Sequence, residues 1–157
     1  MRDELSKKLA DKYSWFRVSD NDSQRSKNNP YRNIPFIEVG EGWYNLLDNL
    51  LQEIQDYYAS KGISPDKIDI GISQIKEKFG GLRFYISDYE EETMDIIDKY
   101  EELSFEFCEN CGADIDPDKK IRIFGWIKSY CNTCEDKFTG KSKINKINNV
   151  NNVDKEW

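Results

Sequence analysis

Two Cys-x-x-Cys pairs, Cys108/Cys111 and Cys131/Cys134, constrain this chain more than any other feature. Two cysteines three apart at a tight turn can aim both sulfurs at one ion. The 19 residues between the pairs let the second turn fold back on the first. This spacing fits a four-cysteine zinc ribbon holding one zinc ion. Gly112 eases the first turn, and Ile121, Ile123, Trp126 and Ile127 suit a β-hairpin turning near Gly125. Four thiolates close the coordination shell, so the zinc is expected to be structural rather than catalytic. Buried free or redox-active thiols and an iron–sulfur centre compete for the same spacing. The ribbon itself reads either as a recognition element or as a metal staple. Glu109, Asp114, Asp116, Asp118, Glu135 and Asp136 around it favour the staple, while Lys119, Lys120, Arg122 and Lys128 are the residues that argue for nucleic acid.

A chain of 157 residues is long enough for one domain with a real core. Its formal charge is −7, and since Lys141 to Trp157 is net +2, residues 1–140 carry −9. Such a surface repels phosphate backbones, which counts against general nucleic-acid binding. No apolar run approaches the length of a bilayer span, and the charged start Met1-Arg2-Asp3-Glu4 has no apolar stretch behind it. A cytoplasmic protein with reduced thiols is therefore expected. The chain contains no histidine, which removes Ser-His and Cys-His nucleophile pairs and histidine metal centres.

Apolar periodicity predicts a short helix over Asp3 to Tyr13, a helix from Trp43 ending near Gly62, and a third over Glu91 to Phe107. Ser19 to Asn33 reads as a polar loop, Ile34 to Val39 as a short strand, and Lys141 to Trp157 as a disordered tail. Between Ile68 and Ser87, Gly80-Gly81 predicts a hairpin turn with Phe79 opposite Leu82, Lys78 opposite Arg83, Glu77 opposite Phe84 and Lys76 opposite Tyr85. Alternation then buries Ile75, Phe79, Leu82, Phe84 and Ile86. Gln74, Lys76, Lys78, Arg83 and Tyr85 fall on the other face.

That cationic face is a candidate seat for an anion, with Arg83 able to grip a phosphate or carboxylate in two-pronged fashion and Tyr85 able to stack. The alternative is a solvated face whose cations pair with the acidic third helix. Glu77 falls on the apolar side, where it is the one carboxylate to test for catalysis together with Lys76 or Arg83. Trp43, after Gly40-Glu41-Gly42, marks either an anion-binding helix start or a core tryptophan.

Gly40-Glu41-Gly42-Trp43-Tyr44, the run Gln74 to Tyr85 and the two Cys-x-x-Cys pairs, in that order, resemble a family of small uncharacterised proteins found in bacteriophages and prophages. The resemblance covers about Ile34 to Cys134 and implies a phage accessory protein in the host cytoplasm, a class that includes inhibitors of host defence. The expected fold is α+β: a small antiparallel sheet with covering helices over residues 1–107, a four-cysteine zinc ribbon over 108–140, and the tail over 141–157. The expected function is non-enzymatic binding of an anionic small molecule, such as a nucleotide signal, or of a host protein. A zinc-ribbon nucleic-acid binder is the alternative, and an enzyme using Glu77 is the third reading.

Overall fold

Leu46, Leu47, Leu50, Leu51, Ile54 and Tyr58 recur three and four apart, so a helix through them presents one continuous apolar stripe. The computed structural model, which describes residues 1–18, 33–87, 90–118, 121–123 and 125–140, forms that helix as α2 (Tyr44–Ser60). All six stripe residues are buried. A 3-10 turn at Glu41–Trp43 leads into α2, and Gly62, at φ +75°, turns the chain away after it. The expected N-terminal helix is α1 (Asp3–Lys12), tied to α2 where the Tyr13 hydroxyl donates to the Asp48 carbonyl at 2.8 Å.

The sheet is mixed, which corrects the expectation of an antiparallel one. Its strands are β1 (Arg17–Val18), β2 (Ile37–Glu38), β3 (Gly71–Lys78) and β4 (Gly81–Ser87). Only β3 and β4 pair antiparallel, while β1 and β2 both run parallel to β3. The physical reason is the connection: the segment from β2 to β3 contains α2, which carries the chain back along the sheet and so permits a parallel return. Since β4 follows one edge of β3 from Gly71 to Lys78, β1 at Gly71–Ile72 and β2 at Ile75–Lys76 share its other edge end to end.

The turn between β3 and β4 also differs from the expectation. Phe79 (φ +55°) and Gly80 (φ +83°) occupy it, so Lys78 faces Gly81, Glu77 faces Leu82, Lys76 faces Arg83 and Gln74 faces Tyr85. Two successive positive φ angles match the twist of the strands. The pairing moves by two positions, so every side chain keeps its expected face except Phe79, which is 66 % exposed at the tip instead of buried.

Helix α3 (Glu91–Leu103) continues as a 3-10 turn at Ser104–Glu106 and covers the outer edge of β4. The Leu82 amide donates to Ser104 Oγ and the Phe84 amide to Glu101 Oε1, each at 2.9 Å. One hydrophobic core joins Leu9, Trp15 and Phe16 to the α2 stripe, to Ile72, Ile75, Leu82 and Phe84 of the sheet, and to Ile97 and Tyr100 of α3.

Beyond α3 the expected hairpin forms as β5 (Ile121–Ile123) and β6 (Trp126–Lys128), turning at Gly125 with φ +88°. An unforeseen helix, α4 (Asn132–Thr139), follows Cys131 and ends at Gly140 in the left-handed conformation. The predicted tail and all of the polar loop except Asn33 lie outside the described residues.

Candidate metal centre

The chain brings all four cysteines together, with their sulfurs within 4.8 Å of one another. A tetrahedral metal–thiolate shell with bonds of about 2.3 Å needs sulfurs about 3.8 Å apart. Cys111 and Cys131 stand 3.7 Å apart, which fits that shell and is far too long for a disulfide. The cluster is too tight for several irons with sulfides between the thiolates, so the donor set suits a single ion. The Asn110 side chain donates to Cys134 Sγ at 3.2 Å. That bond orients the Cys134 sulfur. Burial pushes the Cys134 thiol up to about 12. Burial also opposes ionisation of Cys131, but the Cys134 amide and the neighbouring thiols outweigh it and hold that thiol at about 7.

The first knuckle is built onto the start of α2. Gly42 donates its amide to the Glu109 carbonyl at 2.9 Å, and the Gly40 amide donates to Glu109 Oε1 at 3.0 Å. A Cβ on Gly42 would overlap the Cys108 carbonyl and the Cys111 and Gly112 amides, and one on Gly40 would overlap the Glu109 carbonyl. Only glycine admits this approach of two backbones. Trp43 is fully buried and its indole N–H donates to the Phe107 carbonyl at 2.9 Å. Trp43 was a candidate ligand-binding residue, and the structure corrects this: neither its ring nor its N–H faces solvent. Gly40-Glu41-Gly42-Trp43 is the seat of the knuckle.

The second arm is built onto the hairpin tip. Ser129 Oγ donates to the Gly80 carbonyl at 2.5 Å, and a Cβ on Gly80 would press on Ile127. Lys128 Nζ donates to Glu77 at 2.5 Å and to Glu109 at 3.3 Å, and Glu77 accepts the Gly80 amide at 2.6 Å. Burial raises the Glu109 carboxyl pKa, against the pull of Lys128 and the Gly40 amide. Burial also works against the Lys128 ammonium, but the two carboxylates prevail and raise its pKa. Glu77, the carboxylate to test for catalysis, is thus one corner of a largely buried Glu77–Lys128–Glu109 triad.

Gln74, Lys76, Arg83 and Tyr85 do share the sheet face opposite the core, with Lys78 at its end. Arg83 is not free there: its guanidinium meets Glu101 at 3.2 Å and donates to the Leu82 carbonyl at 2.5 Å. Gln74 donates to Glu38, and Glu38 lies directly across from Lys76. Lys76 sits over the Tyr85 ring at 5.5 Å and Lys78 over the Phe79 ring at 5.4 Å. The exposed remainder is therefore a ridge of Lys76, Lys78, Phe79 and Tyr85. Of the basic residues considered for nucleic acid, Lys119, Lys120 and the Arg122 side chain lie outside the described residues, and Lys128 is held in the triad. Among the described residues no helix is long and apolar enough to cross a membrane. No protein-family model matches the chain, and neither curated proteins nor solved structures yield a match.

Proposed function

We propose that this chain is a non-enzymatic binding protein with one structural zinc and an anion-accepting ridge on the β3–β4 hairpin. What carries this reading is that four thiolates would close the coordination shell, while the first knuckle is committed to packing on Gly40–Trp43 and the strand before the second knuckle to packing on Gly80. Zinc is the ion that such a tetrahedral thiolate shell suits in a protein without histidine. The ridge carries Lys76 and Lys78 with the rings of Phe79 and Tyr85 on a chain that is otherwise acidic, so a small anion meets local attraction where a long polyanion meets repulsion. From the motif resemblance the proposal takes a phage accessory role in host cytoplasm, with a nucleotide signal or an acidic face of a host protein as ligand.

Titration of the zinc-loaded protein with inorganic phosphate, pyrophosphate and nucleotides, read by thermal shift, tests the ridge. A rise in Tm that is lost in Lys76→Ala/Lys78→Ala is expected, whereas binding that survives this double variant sinks the ridge as the site. Trp126, 73 % exposed on the ribbon hairpin, favours a second reading in which nucleobases stack on the ribbon. That reading requires single-stranded nucleic-acid binding that weakens steeply with salt and is lost in Trp126→Ala.

A further inference from the structure

We infer, on the zinc reading above and without reference to any ligand, that metal binding sets the order of the β3–β4 hairpin tip, so that the exposed ridge is fully formed only in the metal-loaded chain. The tip is weakly supported from within. Phe79 holds a left-handed backbone that bulky L side chains disfavour, and its ring is 66 % exposed. The turn is fixed by the ribbon's Ser129 Oγ on the Gly80 carbonyl, and by the hairpin's own Glu77 carboxylate on the Gly80 amide, which the ribbon's Lys128 holds in place.

Those supports hang on the metal ligands. Glu109 lies inside the first knuckle, between Cys108 and Cys111, and its amide donates to the Ser129 carbonyl at 2.7 Å while its carboxylate reaches Lys128. Lys128 and Ser129 in turn run directly into Cys131. The ribbon's own buried apolar side chains among the described residues, Ile121 and Ile123 beside the cysteines, are too few to hold the knuckles without an ion. Away from the tip the same hairpin is held independently, by Ile75, Leu82 and Phe84 in the core and by Ser104 and Glu101 on the Leu82 and Phe84 amides. Loss of metal is therefore felt at residues 78–80 before it reaches the rest of the sheet. Because such coupling is reciprocal, any ligand that needs the ordered tip also tightens metal binding.

Amide hydrogen exchange on the full chain, zinc-loaded and after chelation, with native mass spectrometry counting the metal, tests this. Amides in 78–80 are expected to exchange at least tenfold faster after zinc removal, while those of Leu82, Phe84 and α2 keep their protection. Unchanged exchange at 78–80 in metal-free protein overturns the inference and leaves the zinc reading intact. A chain that never binds metal overturns both. Should chelation unfold α2 as well, zinc-loaded Lys128→Met/Ser129→Ala decides: one retained zinc with fast exchange at the tip supports the coupling, and wild-type exchange overturns it.

Discussion

The body of the molecule and its ribbon fix their backbones by different physics. The body joins α1, α2, α3 and the sheet around one apolar cluster running from Leu9 to Tyr100. The ribbon buries Ile121, Ile123, Cys108 and Cys134, with the charged Glu109 among them. Ordering a residue costs about 1–2 kcal/mol of backbone entropy, which a core can offset and two isoleucines cannot. A metal ion held by the four cysteines would do for the ribbon what hydrophobic burial does for the body.

Four experiments break or sharpen this contrast, taken from the largest effect down. Chelation, or Cys108→Ser, removes a binding free energy on the order of 10 kcal/mol. The ribbon should lose its circular-dichroism and exchange signatures while α2 persists, and a ribbon that stays folded without metal would erase the distinction. Leu50→Ala, in the fully buried stripe of α2, should lower stability by about 3 kcal/mol in chemical denaturation with zinc stoichiometry unchanged.

Lys128→Met probes the joint between the two regions. It leaves Glu77 and Glu109 without their shared cation, and a loss of about 3 kcal/mol is expected at neutral pH. Because the folded-state pKa of Lys128 is raised, its contribution is fully present below the ordinary lysine value of 10.5 and is lost as pH rises through the raised value. The stability gap between wild type and variant should therefore narrow in alkali. Glu109→Gln is the gentlest change, within about 1 kcal/mol, since the neutral amide can still accept the Gly40 N–H. The raised carboxyl pKa means that the ionised form costs the folded state stability above that pKa. Wild type should accordingly gain on the Gln variant as pH falls from the raised value to the ordinary carboxylate value.

The elements legible in the sequence were those written in local pattern. The α2 stripe, the α3 stripe and the knuckle spacing each specify their own geometry, and the structure contains all three. The turn at Phe79-Gly80 was misplaced by one residue, because two glycines in a row offer two equally permissive sites. Packing of Gly80 on Ile127 and of Gly81 on the Phe105 ring, both distant in sequence, distinguishes them. Parallel pairing of β1 and β2 with β3 escaped because two-residue strands carry no periodicity. α4 was missed although Gly140 is the terminator such a helix uses. Most consequential was Gly40-Glu41-Gly42-Trp43, read as an anion site or a core tryptophan with the hairpin and the cysteines as separate motifs. The three converge at one junction, and spacing along a chain is silent on which motifs touch.

The cap that Ser104 and Glu101 place over the Leu82 and Phe84 amides bears on how copies of this chain behave when crowded. A bare edge strand is a template on which a second sheet can grow, and β4 would otherwise offer such an edge rich in Phe, Tyr and Ile. With two of its outward donors answered by side chains of the next helix, that template is closed at its centre. Ser104→Ala or Glu101→Ala would reopen it, so the symptom of either change should be aggregation at high concentration out of proportion to the stability lost.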